Sequence, residues 1–374
     1  MKYRFTLILL FSILTLGAKS QQTLSISGKV KDETNLPMPG ATVFLTGTKS
    51  ITSCSTEGNF QFNHLSPGTY EVVVKMIGYL PFIRSVKISE ESLSLDIQLK
   101  PNDQQLKEVI IHSIKDKDRA KYQQIFKKYF LGQSHNAAYC DIVNPEVIYF
   151  KFDKETKILT ASADELLVIQ NKALGYKLEY LLNDFTFDNQ TNIVSYQGSP
   201  SFMEMTGTKK ENETWTKNRK TAYMGSVTHF LRAVYDHKVK KEGFMVFKVL
   251  NRPMQGLVND HKIKKPVIIE DQPIVMDSLL TVADQHTVSL SYQDCLYVIY
   301  KNEEEQEEFV NQGYHINIAA GHFYTGERSF VYLLPKSINI DNKGLPDPAN
   351  GFFFEGYWAW EKIADLVPLE WSLN

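Results

Sequence analysis

The chain has 374 residues, 43% of them hydrophobic and 22% charged, with a formal net charge of −2. This is globular composition, long enough for two domains at ~150 residues each, and the balanced charge excludes a whole-molecule attraction to nucleic acid. The three cysteines, Cys54, Cys140 and Cys295, are too few for a disulfide framework.

Residues 1–20 have the order of a secretory signal peptide. Lys2 and Arg4 precede an uncharged apolar run over residues 5–16, and Ala18 and Ser20 place small residues at −3 and −1. Cleavage is expected before Gln21. The apolar run is shorter than the ~20 residues of a spanning helix, so no transmembrane segment is expected after cleavage. The predicted location is the periplasm, the outer membrane's surface or the medium. In such an oxidising compartment one bridge is possible. Cys140–Cys295 is the preferred pairing because both lie in the second module; three small buried thiols are the alternative.

Residues 24–100 alternate with period two in short stretches cut by Gly, Pro and Asn. Strands are predicted at 24–30, 41–45, 58–62, 69–75, 86–88 and 93–99, separated by turn signals such as Ser66-Pro67-Gly68. This pattern predicts an all-β sandwich. The strings Ser27-Gly28-x-Val30-x-Asp32, Pro37-x-Pro39-Gly40-Ala41-x-Val43, Gly58-x-Phe60-x-Phe62, Pro67-Gly68-x-Tyr70-x-Val72 and Ile77-Gly78-Tyr79 resemble the carboxypeptidase D regulatory-like domain. The resemblance implies a transthyretin-like sandwich of Greek-key type that is an accessory rather than a peptidase and carries no zinc. His64 is the module's single histidine. Leu106-Lys-Glu-Val-Ile-Ile-His112 resembles the segment that follows such domains in TonB-dependent outer-membrane receptors. Residues 113–374 lack the repeated ~10-residue alternation of a large barrel, so the receptor reading is set aside.

Residues 101–117 read as a linker, and residues 118–374 as an α+β domain with mostly antiparallel strands. A helix is predicted from Asp118 to about Phe130, with Tyr122, Ile125, Phe126 and Tyr129 on one face. Strands are predicted at 147–152, 177–181, 244–250, 287–300 and 330–333. A helix over 220–235 carries Tyr223, Val227, Phe230, Leu231 and Val234 as one buried stripe. Residues 303–308 read as an acidic surface run. Phe130-Leu131-Gly132 with Asn136 and Cys140, Asn144-Pro145-Glu146, Asn171-x-Ala-Leu-Gly-Tyr176, Asn218-Arg219 and Gly356-Tyr-Trp-Ala-Trp360-Glu361 resemble the body of a Bacteroidota envelope family. In that family a regulatory-like domain precedes an uncharacterised one, which implies a compartment and no reaction.

No zinc helix, nucleophile elbow, phosphate loop or dinucleotide fingerprint occurs. Ser226 with His229 is a weak nucleophile–base pair. Asp284 with His286, and His315 with His322, lack further ligands for a metal. No catalytic residue, metal or cofactor is therefore expected. Two contact surfaces are candidates. Residues 209–241 hold nine Lys or Arg against three Asp or Glu, including Arg219 and Lys220; they suit an anionic polymer, or form a solvated helix face. Tyr357, Trp358, Trp360 and Trp371 suit a sugar or a protein partner, or close the core. The sequence thus predicts a non-catalytic exported envelope protein that binds or scaffolds an envelope protein or glycan. The alternative is a hydrolase with a dispersed site in 130–374.

Overall fold

The structure, a computed structural model, describes residues 23–102, 116–250, 268–313 and 325–373. The signal peptide, the 106–112 segment, most of the linker, His315 and His322 lie outside the described residues.

Seven strands build the first unit: β1 (Leu24–Lys31), β2 (Thr42–Leu45), β3 (Ile51–Ser53), β4 (Asn59–Leu65), β5 (Gly68–Lys75), β6 (Phe82–Ile88) and β7 (Leu93–Gln98). They form two sheets, ordered β4-β1-β7 and β3-β2-β5-β6. The inward set of each alternation, including Ile26, Phe60, Val43, Val72, Val74 and Ile97, fills the space between them. The pairing of β1 with β7 is parallel, so this edge closes by a crossover rather than a hairpin. Only the short β3 escaped the sequence pattern.

Helix α1 (Asp116–Phe130) opens the second unit. It packs on a six-stranded antiparallel sheet of β8 (Cys140–Ile142), β9 (Ile148–Phe152), β10 (Ile158–Ala163), β11 (Leu167–Asn171), β12 (Tyr176–Asp188) and β13 (Val194–Glu204). The stripe on α1 meets the sheet through Phe126, whose ring lies 4.7 Å from that of Phe185, and Phe130, 5.0 Å from Tyr180. β12 is the spine: its first half pairs with β11, its second with β10, and β13 runs along it throughout.

The third unit begins with α2 (Lys209–Tyr223) and α3 (Val227–Tyr235). Two antiparallel sheets follow. One is ordered β15 (Ile268–Ile269), β14 (Phe244–Leu250), β18 (Cys295–Tyr300), β19 (Glu327–Leu333) and β22 (Phe352–Gly356). The other is ordered β16 (Leu280–Asp284), β17 (Thr287–Leu290), β20 (Ile338–Asp341) and β21 (Pro346–Asp347). Short helices α4 (Glu307–Val310) and α5 (Tyr357–Trp360) complete it. Every residue of β18 is buried, as expected of a strand covered on both faces. No helix among the described residues is long and apolar enough to cross a membrane.

Three sequence expectations change here. The helix over 220–235 is two helices. Gly225 has φ +75°, and Ser226 caps α3 by accepting the His229 N–H at 3.2 Å. The predicted stripe still faces inward: Phe230, Leu231 and Val234 of α3 enter one core with Val227 packed against it, and Tyr223 of α2 is buried against His229 and Trp371. Cys140 and Cys295 are not bridged: they are buried thiols in separate cores, one beneath α1 and one in β18. The run at 303–308 is only partly surface. Glu305 is buried against Arg328, and burial pushes the Glu303 carboxyl up to about 7 against the pull of Lys220.

The units are not beads on a string. Phe44 and Val73 of the sandwich pack on Leu181 of β12. Gly47 N–H donates to Pro200 O at 2.6 Å, and Phe202 N–H to Thr48 O at 2.9 Å. The chain end then returns across all three units. Ala364 N–H donates to Leu131 O at 3.0 Å, and Leu369 N–H to Gly47 O at 2.8 Å. The Arg232 guanidinium of α3 donates to the carbonyls of Lys343, Leu369 and Trp371. Arg232→Met leaves three carbonyls without this donor and is expected to cost about 2–4 kcal/mol. Hydrogen exchange over residues 362–373 should accelerate in the variant; unchanged exchange there would show that the strap holds without the clamp.

Candidate functional site

The three units enclose a cleft of about 1920 Å³. Small-molecule pockets run to ~300–1,000 Å³, so this space suits an extended ligand. The sandwich contributes Thr46, Thr69, Glu71, Ser85 and Lys87; the second unit the end of α1 and residues 191–200; the third the stretch 345–363 in part.

The wall from the second unit is built by two local devices. The β12–β13 register slips between Leu182 and Asp184, so Asn183 is an extra, exposed residue that reaches the cleft. Bulges re-aim side chains in this way. Opposite it, Gly198 has no side chain because a Cβ there would meet Leu181 O at 2.2 Å and the Tyr180 ring at 2.3 Å. Ser195 and Gln197 are exposed on one face of β13, and Tyr196 turns to the other, where its ring meets Phe130 at 5.5 Å. The lining therefore combines amides and hydroxyls with half-buried rings, including Phe352 and Phe354 of β22.

The ion pairs around the cleft hold the sandwich in place. Lys87 pairs with Asp284, and with the His286 N–H this holds the Asp284 carboxyl down at about 2. Lys343 donates to Thr69 O at 2.9 Å, sits 3.5 Å from the centre of the Tyr70 ring and pairs with Asp341. Burial lowers Lys343 to about 8 despite Asp341. Glu71 accepts from Ser199 Oγ at 2.8 Å and Thr46 Oγ1 at 2.6 Å.

Several carboxyls from distant segments gather toward the strap. Burial, with Glu303 as a further cause, pushes Glu327 up to about 9, and its Oε2 is buried without a hydrogen-bond partner among the described residues. Glu361, which lines the cleft, is raised strongly by burial and then by Glu327 and Asp365. Asp365 is raised by burial although Ser134 Oγ and Asn136 Nδ2 donate to it at 2.8 and 3.0 Å.

The predicted contact residues separate. Tyr357, Trp358 and Trp360 are 1%, 5% and 7% exposed. Trp358 donates from Nε1 to Gly225 O at 2.7 Å; Tyr357 and Trp360 pack around Phe309. They are core rings, and only edges of Trp358 and Trp360 reach the cleft. An exposed aromatic platform over 357–360 is thus not what the fold builds. Trp371 is half-exposed and packs its ring 4.9 Å from Tyr223. Arg219 lies 3.9 Å over Tyr176 and donates to Leu174 O and Gly175 O, so it holds the β11–β12 turn. Lys220 is exposed. Neither Arg219 nor Lys220 lines the cleft. His229 is no base for Ser226: its Nδ1 accepts from Gly225 N–H at 3.1 Å and its Nε2 faces Glu242 at 3.4 Å. Asp284 is committed to Lys87 rather than to a metal. The cleft residues Asn183, Ser195 and Gln197 escaped sequence reasoning, and a lone slip in register has no composition signal.

Residues 26–111 match the family model of the CarboxypepD_reg-like domain. The TonB-dependent receptor P39 of Formosa agariphila is 32% identical over 116 residues, covering 31% of this chain and 11% of the receptor. The chain thus matches about a tenth of that curated relative's length. A mutant type II cohesin–X–dockerin complex from Acetivibrio cellulolyticus is 22% identical, covers 21% of this chain and 59% of that one, and has a TM-score of 0.20. The major pilin subunit of Bacillus cereus is 11% identical over 50% of this chain and 70% of that one, also with a TM-score of 0.20.

Because Glu327 is raised from 4.5 to about 9, the fold binds its proton more tightly than the unfolded chain does. Its contribution to stability is full below about pH 4.5 and is lost as pH climbs through about 9. Glu327→Gln should flatten urea-unfolding stability between pH 5 and 9, with a gain on the order of 1–3 kcal/mol at the alkaline end. A slope as steep as the parent's would clear Glu327 as its source.

Proposed function

We propose that the protein is a non-catalytic, exported cell-envelope binding protein whose ligand is a glycan lying in the cleft between its three units. The carrying observation is the lining, which holds both amides and hydroxyls, from Asn183, Ser195, Gln197 and Asn350, and half-buried rings, from Tyr129, Tyr196 and Phe352. Sugars present many hydroxyls and an apolar ring face, and they are met by polar groups of this kind with aromatic surface. The cleft's size suits several sugar residues. The envelope location is supported by the signal-like residues 1–20, the regulatory-like domain and the receptor relative.

A hydrolytic reading is favoured by one observation. Glu361, whose carboxyl is raised by burial, reaches the same cleft, and a carboxyl raised in this way suits a general acid. Reducing-end release that stops in Glu361→Gln would establish it.

Calorimetric titration against a panel of oligosaccharides tests the binding reading. Asn183→Ala should weaken the best ligand about 3- to 10-fold, the worth of one hydrogen bond, with the melting temperature unchanged. Binding that ignores Asn183→Ala would move the ligand elsewhere, and no binding across the panel would remove the glycan.

A further inference from the structure

We infer that the cleft takes an anionic sugar, one bearing a carboxylate or a sulfate ester, held by Lys362 and Lys128 at the end of α1. This rests on the glycan reading and names the ligand's charge.

Both lysines line the cleft by the end of α1: Lys128 lies in its last turn, and the Lys362 stem packs at Gly132 just beyond it. Lys128 and Tyr129 end α1, and Gly132 follows with φ +106°. A Cβ at Gly132 would come within 3.0 Å of Lys362 Cβ, so the glycine makes room for the Lys362 stem against the helix end. The Lys362 ammonium stands 5.6 Å from the centre of the Tyr196 ring, and the Lys128 ammonium 5.1 Å from that of Tyr129. All four residues line the cleft. The ring faces attract the cations and position them without neutralising them.

Neither ammonium has a carboxylate partner among the described residues. The nearby acids are occupied otherwise. Asp365 accepts from Ser134, Asn136 and the Lys362 backbone N–H. Burial raises the Glu361 carboxyl, with Glu327 and Asp365 as further causes. Across the cleft, Asp284 holds Lys87, Asp341 holds Lys343, and Glu71 accepts from Ser199 and Thr46. Glu355 is buried in β22, and Asp347 of β21 is exposed. The cations at the α1 end thus lack a carboxylate partner among the described residues, whereas Glu71, Asp284 and Asp341 across the cleft are each held by a partner.

Lys362 is half-buried; partial burial of its ammonium without a counter-charge is costly, and desolvation lowers that group to about 8. A ligand anion at this corner supplies the missing charge in a partly desolvated place, where a charge-assisted hydrogen bond is strongest. Lys128 is exposed and contributes less. The polar groups of β12 and β13 are left for sugar hydroxyls.

The test uses the full chain and three probes: an oligogalacturonate, its carboxyl-reduced neutral counterpart and a sulfated galactan oligosaccharide. Calorimetric titration should show at least tenfold tighter binding of one anionic probe than of the neutral one. The probe that wins identifies the carboxylate or the sulfate as the source. Lys362→Met should erase this discrimination while the melting temperature holds or rises, because it removes an unpaired, half-buried charge. Lys128→Gln should weaken it about 2- to 5-fold, and Lys362→Arg should retain most of it. If the neutral probe binds as well as the anionic ones, the charge inference is overturned and the glycan reading stands. If discrimination survives in both Lys362→Met and Lys128→Gln, the corner is overturned as the site. If no probe binds while a neutral oligosaccharide of the wider panel does, the charge inference alone is overturned; if nothing in the panel binds either, the glycan reading falls with it.

Discussion

The arrangement of the molecule depends on the Arg232 guanidinium. It is the point where α3 meets the carbonyls of Lys343, Leu369 and Trp371. Through Lys343 the clamp reaches the sandwich, because that lysine enters the turn at Gly68 and donates to Thr69 O. Through Leu369 it fixes the chain end on Gly47 at the sandwich's other contact. An arginine serves here where a lysine would not, since a planar fork addresses several carbonyls at once.

Docking of this kind has a functional consequence. Interfaces between domains are often polar, and relative motion is then the default. Here an apolar patch of Phe44, Val73 and Leu181, with backbone pairs, joins the sandwich to the second unit, and the Lys87–Asp284 bridge ties it to the third. A cleft whose walls come from three units keeps its shape only if those units stay in register. The strap supplies that constraint and also carries Glu361 and Lys362 to the cleft, so the scaffold and the proposed site share one segment.

Several short strings that stand out in the sequence are halves of structural pairs. Asn171 Oδ1 accepts the Leu174 N–H, which shapes the β11–β12 turn, and Trp215, Asn218 and Arg219 of α2 donate to the carbonyls of residues 172–175. Asn144 accepts from Val168 N–H and donates to Leu166 O. Asn136 meets Asp365 more than two hundred residues away. Polar residues in such strings invite a functional reading, but buried backbone carbonyls need donors, and these side chains supply them. The partner cannot be found in the sequence because its distance along the chain carries no signal.

The sequence by itself determined the sandwich, the mostly antiparallel α+β body, and the inward face of α1 and of the 223–234 stripe. Those features follow from alternation and helical spacing, which are local. It did not reveal the break at Gly225, since one glycine inside a consistent stripe leaves the period intact. It leaned toward a core role for the C-terminal rings but kept a contact role open, because tryptophans serve both; packing against Phe309, Phe230 and Phe354 shows them in the core. The cleft belongs wholly to tertiary structure. A bulge at Asn183, a lysine on the returning strap and a helix end meet there only after three units dock, and no local pattern encodes that meeting.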